Sequence, residues 1–244
     1  LMVEFEGDEG DPLPERLREA RRILRPHSVT LDEATDRRSL EKLWAIRHAA
    51  SPMMARLGDE RRSIQVIEDG CVPVEMLARY LALIREAGAR HGIELVIFGH
   101  AGDGNLHVNL LPDVTRPGWE AAVAAIFAEV TEATTRLGGT LSGEHGDGRL
   151  RARALGAVYG PEIVELFRQL KDAFDPVGIL NPGVKVPIAE DRPFQSLKTG
   201  STAAAIPSDI EASLREIERN ARYGLSRLDL ADHPTVQPFS HPAT

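Results

Sequence analysis

The sequence has a single cysteine, few aromatic residues and no excess of positive charge. Cys71 is the only cysteine in 244 residues, so no disulfide can form within the chain, and zinc or iron–sulfur sites built from several cysteines are excluded. Any bound metal must therefore use histidine and carboxylate ligands. This cysteine usage is typical of the reducing cytoplasm, which is the location we expect.

Positive charge is scarce, with 29 Lys and Arg against 37 Asp and Glu and a net charge of −8. Nucleic-acid surfaces combine basic patches with stacking aromatic residues, and aromatic residues make up only 5% of this chain. We therefore expect no nucleic-acid partner. No apolar run approaches the roughly 18 to 20 residues of a transmembrane segment, and the start does not resemble a signal peptide.

The composition, 42% hydrophobic and 27% charged, is that of a globular chain of one or two domains. Up to residue 187, short strands in hairpin-like order are mixed with long helices, without regular β-α-β alternation. This pattern predicts an α+β fold with an antiparallel sheet and helices packed on it.

The two ends of the chain differ from its middle. Residues 1–7 have the pattern of a strand without a polar lead-in, which predicts a fragment whose sheet partners or whole preceding domain lie upstream. Residues 188–244 are rich in Pro, Ser, Thr and Ala and predict a linker with one helix, Asp209 to Tyr223.

Two segments concentrate glycine and histidine: GHAGDGNLH, residues 99–107, and SGEHGDG, residues 142–148. Each follows a short predicted strand, and glycine allows the backbone to approach a bound group closely. Because His100 ends one strand and His107 begins the next, their imidazoles can converge. With Glu144 they form an open three-ligand site of the kind that catalytic zinc uses, and manganese or iron would also be accepted. The adjacent Glu144 and His145 are expected to point apart, so that one binds metal and the other faces substrate.

These residues alone leave several functions open. Two histidines, a glutamate and a nearby base also describe a metal-dependent hydrolase, since such a site activates water. Glycine-rich turns are also common scaffold, so a non-catalytic interaction domain is a further alternative. The phosphate-loop, GxGxxG-helix and HExxH motifs are absent.

Three motifs in order, GHAGDGNLHVN, SGEHGDG and FDPVGILNPGVKVP (residues 174–187), resemble the C-terminal domain of FAD-linked oxidases of the D-2-hydroxy-acid dehydrogenase type. This family includes D-lactate dehydrogenases, the flavin subunit of glycolate oxidase and D-2-hydroxyglutarate dehydrogenase. Weaker matches, LWAIR (43–47) and IEDGCVP (67–73), extend the resemblance to residues 1–187. It implies a ferredoxin-like C-terminal domain whose FAD-binding domain lies upstream.

The resemblance also implies roles for individual residues. In such oxidases the motif positions occupied here by His100, His107 and Glu144 hold a divalent metal, and the position of His145 is the general base. The resemblance also implies that Arg47 and Asn109 contact the substrate and that Asn181 contacts the flavin.

The implied reaction is FAD-dependent, metal-assisted oxidation of a D-2-hydroxy acid, such as D-lactate or glycolate, to the 2-oxo acid, with hydride transfer to the flavin. Some 2-hydroxyglutarate-type members carry a lysine where this chain has residues 65–67, Gln, Val and Ile, so a second, distal carboxylate on the substrate is not implied. Residues 188–244 resemble members that continue into an iron–sulfur electron-acceptor region. Such a partner would allow a peripheral position at the inner membrane face. As part of a larger flavoprotein, this chain is expected to be inactive on its own.

Overall fold

The structure, a computed structural model, describes residues 2–8, 10–49, 54, 57–58, 60–189, 194, 197, 199–200, 203 and 205–219. It divides into two compact units, Leu1–Ser63 and Ile64–Thr244. The candidate histidines and Glu144 all belong to the second unit.

Two helices of twelve residues each lie in the first unit. Helix α1, Leu13–Leu24, spaces its half-buried residues at helical intervals, and helix α2, Arg37–His48, directly follows Asp36. The Asp36 carboxylate caps α2 by accepting a 3.0 Å hydrogen bond from the Ser39 backbone N–H. The predicted opening strand is wrong for residues 2–7, which are not in a strand. An extended segment forms a strand only when a neighbouring strand exchanges backbone hydrogen bonds with it.

The second unit is built around a small antiparallel sheet. Strands β1, Gly70–Cys71, β2, Glu94–His100, and β3, Asn105–Leu111, lie in the order β1-β3-β2. Strands β2 and β3 form a hairpin in which His100 lies opposite Asn105. The hairpin turn requires Gly104, because its φ is +67° and a Cβ atom there would lie 1.9 Å from the Val72 carbonyl oxygen.

Two helices connect the strands, α3, Leu77–Arg90, and α4, Trp119–Arg136. After α4, Thr140 forms an isolated antiparallel bridge with Cys71, which continues the sheet on the far side of β1. The resulting order, β2-β3-β1-Thr140, is that of a ferredoxin-like sheet. The prediction of an α+β fold with an antiparallel sheet is confirmed.

The core lies between this sheet and the two helices. All seven residues of β3 are buried, and Ile84 of α3 and Val123 and Ile126 of α4 are fully enclosed. Burying side chains of this size contributes roughly 1.5–3 kcal/mol each, so β3 is the best-anchored element available to carry a site.

A bulge interrupts the chain that leads into β1. Ile64 bridges Leu110, and Gly70 pairs with Leu106. The chain therefore advances six residues from 64 to 70 while β3, opposite it, advances only four, from 110 to 106. Asp69, in this bulge, has a φ of +78°. Bulges of this kind re-aim side chains next to functional sites.

Three further helices follow: α5, Leu155–Tyr159, α6, Pro161–Phe174, and α7, Ser208–Arg219. The predicted last helix is confirmed to residue 219, and residues 220–223 lie outside the described residues. Among the described residues, no helix has the length and apolar character needed to cross a membrane.

Candidate metal centre

Three parts of the second unit bring the candidate residues together. His100 ends β2, His107 and Asn109 lie on β3, and Glu144 and His145 lie in the glycine-rich loop 142–148. Since side chains alternate along a strand, His107 and Asn109 share one face of β3.

The Asp69 carboxylate anchors the loop to the sheet. It accepts hydrogen bonds from the Ser142 hydroxyl at 2.6 Å, from the His145 N–H at 2.7 Å and from the Glu144 N–H at 3.0 Å. The Asn105 side-chain amide donates a fourth, also at 3.0 Å. The loop is therefore folded around a buried carboxylate.

These donors determine the charge state of Asp69. Burial alone would raise the pKa of Asp69, but the hydrogen bonds from Ser142, His145, Glu144 and Asn105 outweigh it and lower the pKa to about 2. Asp69 also lies within 4.8 Å of the ligand atoms of His107, Glu144 and His145. Because donors already occupy both of its oxygens, we assign Asp69 to anchoring the loop and not to ligating a metal.

Side chains from all three parts meet at one atom, Glu144 Oε1. This oxygen lies 3.0 Å from His107 Nε2, 3.3 Å from His100 Nε2 and 3.6 Å from His145 Nε2. The expectation that Glu144 and His145 point apart is wrong. Their N–H groups both donate to Asp69, which curls the loop and brings both side chains to the same side.

The donor set suits a divalent metal. Imidazole nitrogens with one carboxylate oxygen form the three-ligand, open-position set of catalytic zinc sites. His107 is buried, whereas the side chains of His100, Glu144 and His145 are about half exposed. The centre therefore has a buried back and an open front, through which a small molecule could reach it.

A second carboxylate lies behind the histidines. Glu68, in the bulge, places Oε1 2.8 Å from His145 Nδ1 and 3.2 Å from His107 Nδ1. Its hydrogen bond raises the pKa of His145 above the ordinary histidine value, against the opposing effect of burial.

Asn109 and Gln65 form a polar pair beside the centre. Asn109 is fully buried on β3, and its Oδ1 accepts a 3.0 Å hydrogen bond from Gln65 Nε2. This pairing fixes the orientation of the Asn109 amide on the face that also carries His107.

The other two predicted site residues lie elsewhere in the chain. Arg47 is on α2 in the first unit and is partly buried. Asn181 is in an exposed turn after α6, where its φ is +47°. Their predicted contacts with substrate and flavin stay predictions.

Sequence reasoning missed Glu68 and Asp69 as parts of the centre. The segment IEDGCVP shows two consecutive acidic residues before a glycine. In a regular strand, however, neighbouring side chains lie on opposite faces, so the two would not be expected at one site. The bulge and the positive φ of Asp69, which overturn that expectation, leave no clear mark in the sequence.

Comparison with known proteins gives a family match and several relatives. The family model described as FAD linked oxidases, C-terminal domain, matches residues 1–184. Glycolate oxidase subunit GlcD of Bacillus subtilis is 35% identical over 156 residues, which is 64% of this chain and 32% of that protein.

Two further relatives carry other names. D-2-hydroxyglutarate dehydrogenase of Escherichia coli is 32% identical over 225 residues, covering 88% of this chain and 22% of that protein. D-lactate dehydrogenase of Archaeoglobus fulgidus is 37% identical over 156 residues, covering 64% of this chain and 33% of that protein. The matched part thus spans about a third or less of each relative.

Proposed function

The chain belongs to the family of C-terminal domains of FAD linked oxidases, and we propose that it supplies the metal and substrate site of an enzyme that oxidises a D-2-hydroxy acid to the 2-oxo acid. The observation that carries this proposal is the convergence of three imidazole Nε2 atoms on Glu144 Oε1, at 3.0 to 3.6 Å. Family membership favours this reading over the hydrolase and the non-catalytic domain.

His100, His107 and Glu144 would hold the divalent metal, with zinc the first choice and manganese or iron as alternatives. Their donor atoms and the open front of the centre fit such an ion. A cation bound there would lower the pKa of the substrate hydroxyl and polarise the carbonyl that forms.

His145 would remove the hydroxyl proton. Its Nε2 lies beside Glu144 and its side chain is about half exposed, so a substrate can reach it. The hydrogen bond to Glu68 raises the pKa of His145 above the ordinary histidine value, which makes His145 a stronger base.

The substrate would be held at its carboxylate. We propose Arg47, whose planar guanidinium can bind a carboxylate through two hydrogen bonds, and Asn109 as the substrate contacts. Gln65 offers no positive charge beside Asn109, which favours a short acid such as D-lactate or glycolate over a dicarboxylate.

The flavin would be bound by a domain upstream of residues 1–187, with Asn181 near it. FAD, when bound, supplies the acceptor for the hydride that leaves the α-carbon. Residues 188–244 would lead towards an iron–sulfur partner that takes up the electrons.

The test is anaerobic flavin bleaching in the protein produced together with its proposed FAD-binding region. D-Lactate, glycolate and D-2-hydroxyglutarate are compared, each with and without a chelator. We expect rapid bleaching by D-lactate or glycolate and its loss after chelation. Flavin that none of the three acids reduces would contradict the proposal.

A pair of variants separates the base from the ligands. His145→Ala should abolish flavin reduction while the metal content stays intact, whereas His91→Ala should change neither. His91 is the matched control because it also pairs with a glutamate, Glu129, at 2.7 Å but lies outside the centre. Loss of metal with retained turnover in His145→Ala would reverse the assigned roles.

A further inference from the structure

Glu68 is a nearly buried carboxylate that is neither one of the proposed metal ligands nor the proposed base. Its side chain is 13% exposed, and its Oε1 lies 2.8 Å from His145 Nδ1 and 3.2 Å from His107 Nδ1. Keeping a carboxylate out of water is costly unless the group has partners, so its placement behind two histidines needs an explanation.

The two histidine rings are stacked between two carboxylates. Their centroids are 5.0 Å apart and their planes differ by only 8°. Both rings turn the Nδ1 edge towards Glu68 and the Nε2 edge towards Glu144 Oε1. In a neutral imidazole one nitrogen donates and the other accepts, and the hydrogen bond made by one nitrogen decides the state of the other.

Arg151 holds Glu68 in place. Its guanidinium donates to the backbone carbonyl of Glu68 and, at 2.8 Å, to the carbonyl of Gly146, and it lies 3.8 Å from Glu68 Oε2. Arg151 is itself buried, so it joins the bulge to the loop that carries Glu144 and His145. The carboxylate is thus fixed before any substrate or metal arrives.

We propose that Glu68 is a positioning residue: its carboxylate accepts a hydrogen bond from the Nδ1–H group of His145 and so leaves Nε2, beside Glu144, as the atom that receives the substrate's proton. The role of Nε2 rests on the function proposed above, but the protonated Nδ1 is a property of the chain alone.

The consequence for the reaction follows from the donor and acceptor roles of imidazole. A neutral His145 with its proton on Nε2 would present a donor to the substrate hydroxyl and could not accept its proton. Loss of partners that orient a ring commonly costs 10- to 100-fold in activity, and the loss falls on the chemical step.

The first test uses the 244-residue chain with ¹⁵N-labelled histidine, free of metal and flavin, at a pH where the rings are neutral. Long-range proton–nitrogen spectra distinguish a protonated ring nitrogen from an unprotonated one. We expect His145 to carry its proton on Nδ1 in the wild type and in Glu68→Gln, which keeps an oxygen acceptor. In Glu68→Leu we expect a mixture of both tautomers.

The second test is kinetic and uses the flavoprotein. Glu68→Leu should lower kcat by about 100-fold while KM for the hydroxy acid changes less than about threefold. Glu68→Gln should lose less than about tenfold, a partial rescue. Glu129→Gln, which breaks the Glu129–His91 pair outside the centre, is the matched control and should leave kcat unchanged.

Either of two results would overturn the proposal: a wild-type His145 that carries its proton on Nε2, or a Glu68→Leu chain with the wild-type spectrum and kcat. If Glu68→Leu does not fold, the wild-type spectrum and the Glu68→Gln kinetics still decide. A wild-type flavoprotein that oxidises no hydroxy acid would end the proposed function, whereas the spectra would still decide the role of Glu68.

Discussion

Strand β3 and helix α6 both carry apolar residues at the period of their element, yet they differ completely in burial. All seven residues of β3 are buried, whereas none of the fourteen residues of α6 is. The apolar stripe of α6 faces outward, with Ile163, Leu166, Leu170 and Phe174 between 39% and 79% exposed. The period tells which face is apolar, but what covers that face depends on the rest of the fold.

This difference determines where a site can be built. His107 and Asn109 gain fixed positions because β3 is paired on both edges and packed by α3 and α4. A metal centre needs ligands held within a fraction of an ångström, and the enclosed strand provides this for His107.

The largest effect is expected from Leu110→Ala on β3. Leu110 is fully buried, so its truncation removes core contacts and leaves a cavity, and the free energy of unfolding should fall by about 2–5 kcal/mol. Urea unfolding followed by circular dichroism measures it. A loss below about 1 kcal/mol would mean that β3 is not the anchored element described above.

A smaller, pH-dependent effect is expected from Asp69→Asn. The pKa of Asp69 is lowered from 3.8 to about 2 in the folded chain, which corresponds to about 2 kcal/mol at neutral pH. Because the folded pKa is the lower one, this stability is present above pH 4–5 and is lost as the pH falls towards about 2. The stability difference between wild type and Asp69→Asn in urea should therefore shrink between pH 5 and about pH 2. A constant difference would show that the Asp69 charge does not anchor the loop.

The smallest effect is expected from Leu170→Ala on α6. The chemical change equals that in Leu110→Ala, but the Leu170 side chain is 60% exposed. Unfolding of the isolated chain should change by less than about 0.5 kcal/mol. A loss comparable to that of Leu110→Ala would remove the contrast between the two regions.

The sequence predicted the hairpin and the meeting of its two histidines correctly, since strand ends and a glycine turn are local features. The sequence could not predict the bulge in residues 64–70, which advance six residues while β3 opposite them advances four. A bulge depends on pairing with a strand that is distant in the chain. Glu68 was missed for that reason.

The conformation of the loop around Glu144 and His145 also depends on a residue that is distant in the sequence. Adjacent side chains point apart in an extended chain, and this expectation failed because both N–H groups bind one buried carboxylate. The carboxylate belongs to Asp69, 75 residues before Glu144, so no local pattern could reveal it. Motif order identified the family, but the geometry of the centre required the fold.

Zinc stoichiometry tests most directly whether His100, His107 and Glu144 bind a divalent metal. The 244-residue chain is dialysed against zinc and its metal content measured, beside His107→Ala, Glu144→Ala and the control His91→Ala. We predict one zinc per chain in the wild type and in His91→Ala, and a loss of at least tenfold in zinc affinity in the other two. A wild type without zinc, or stoichiometric zinc of unchanged affinity in both ligand variants, would contradict the account.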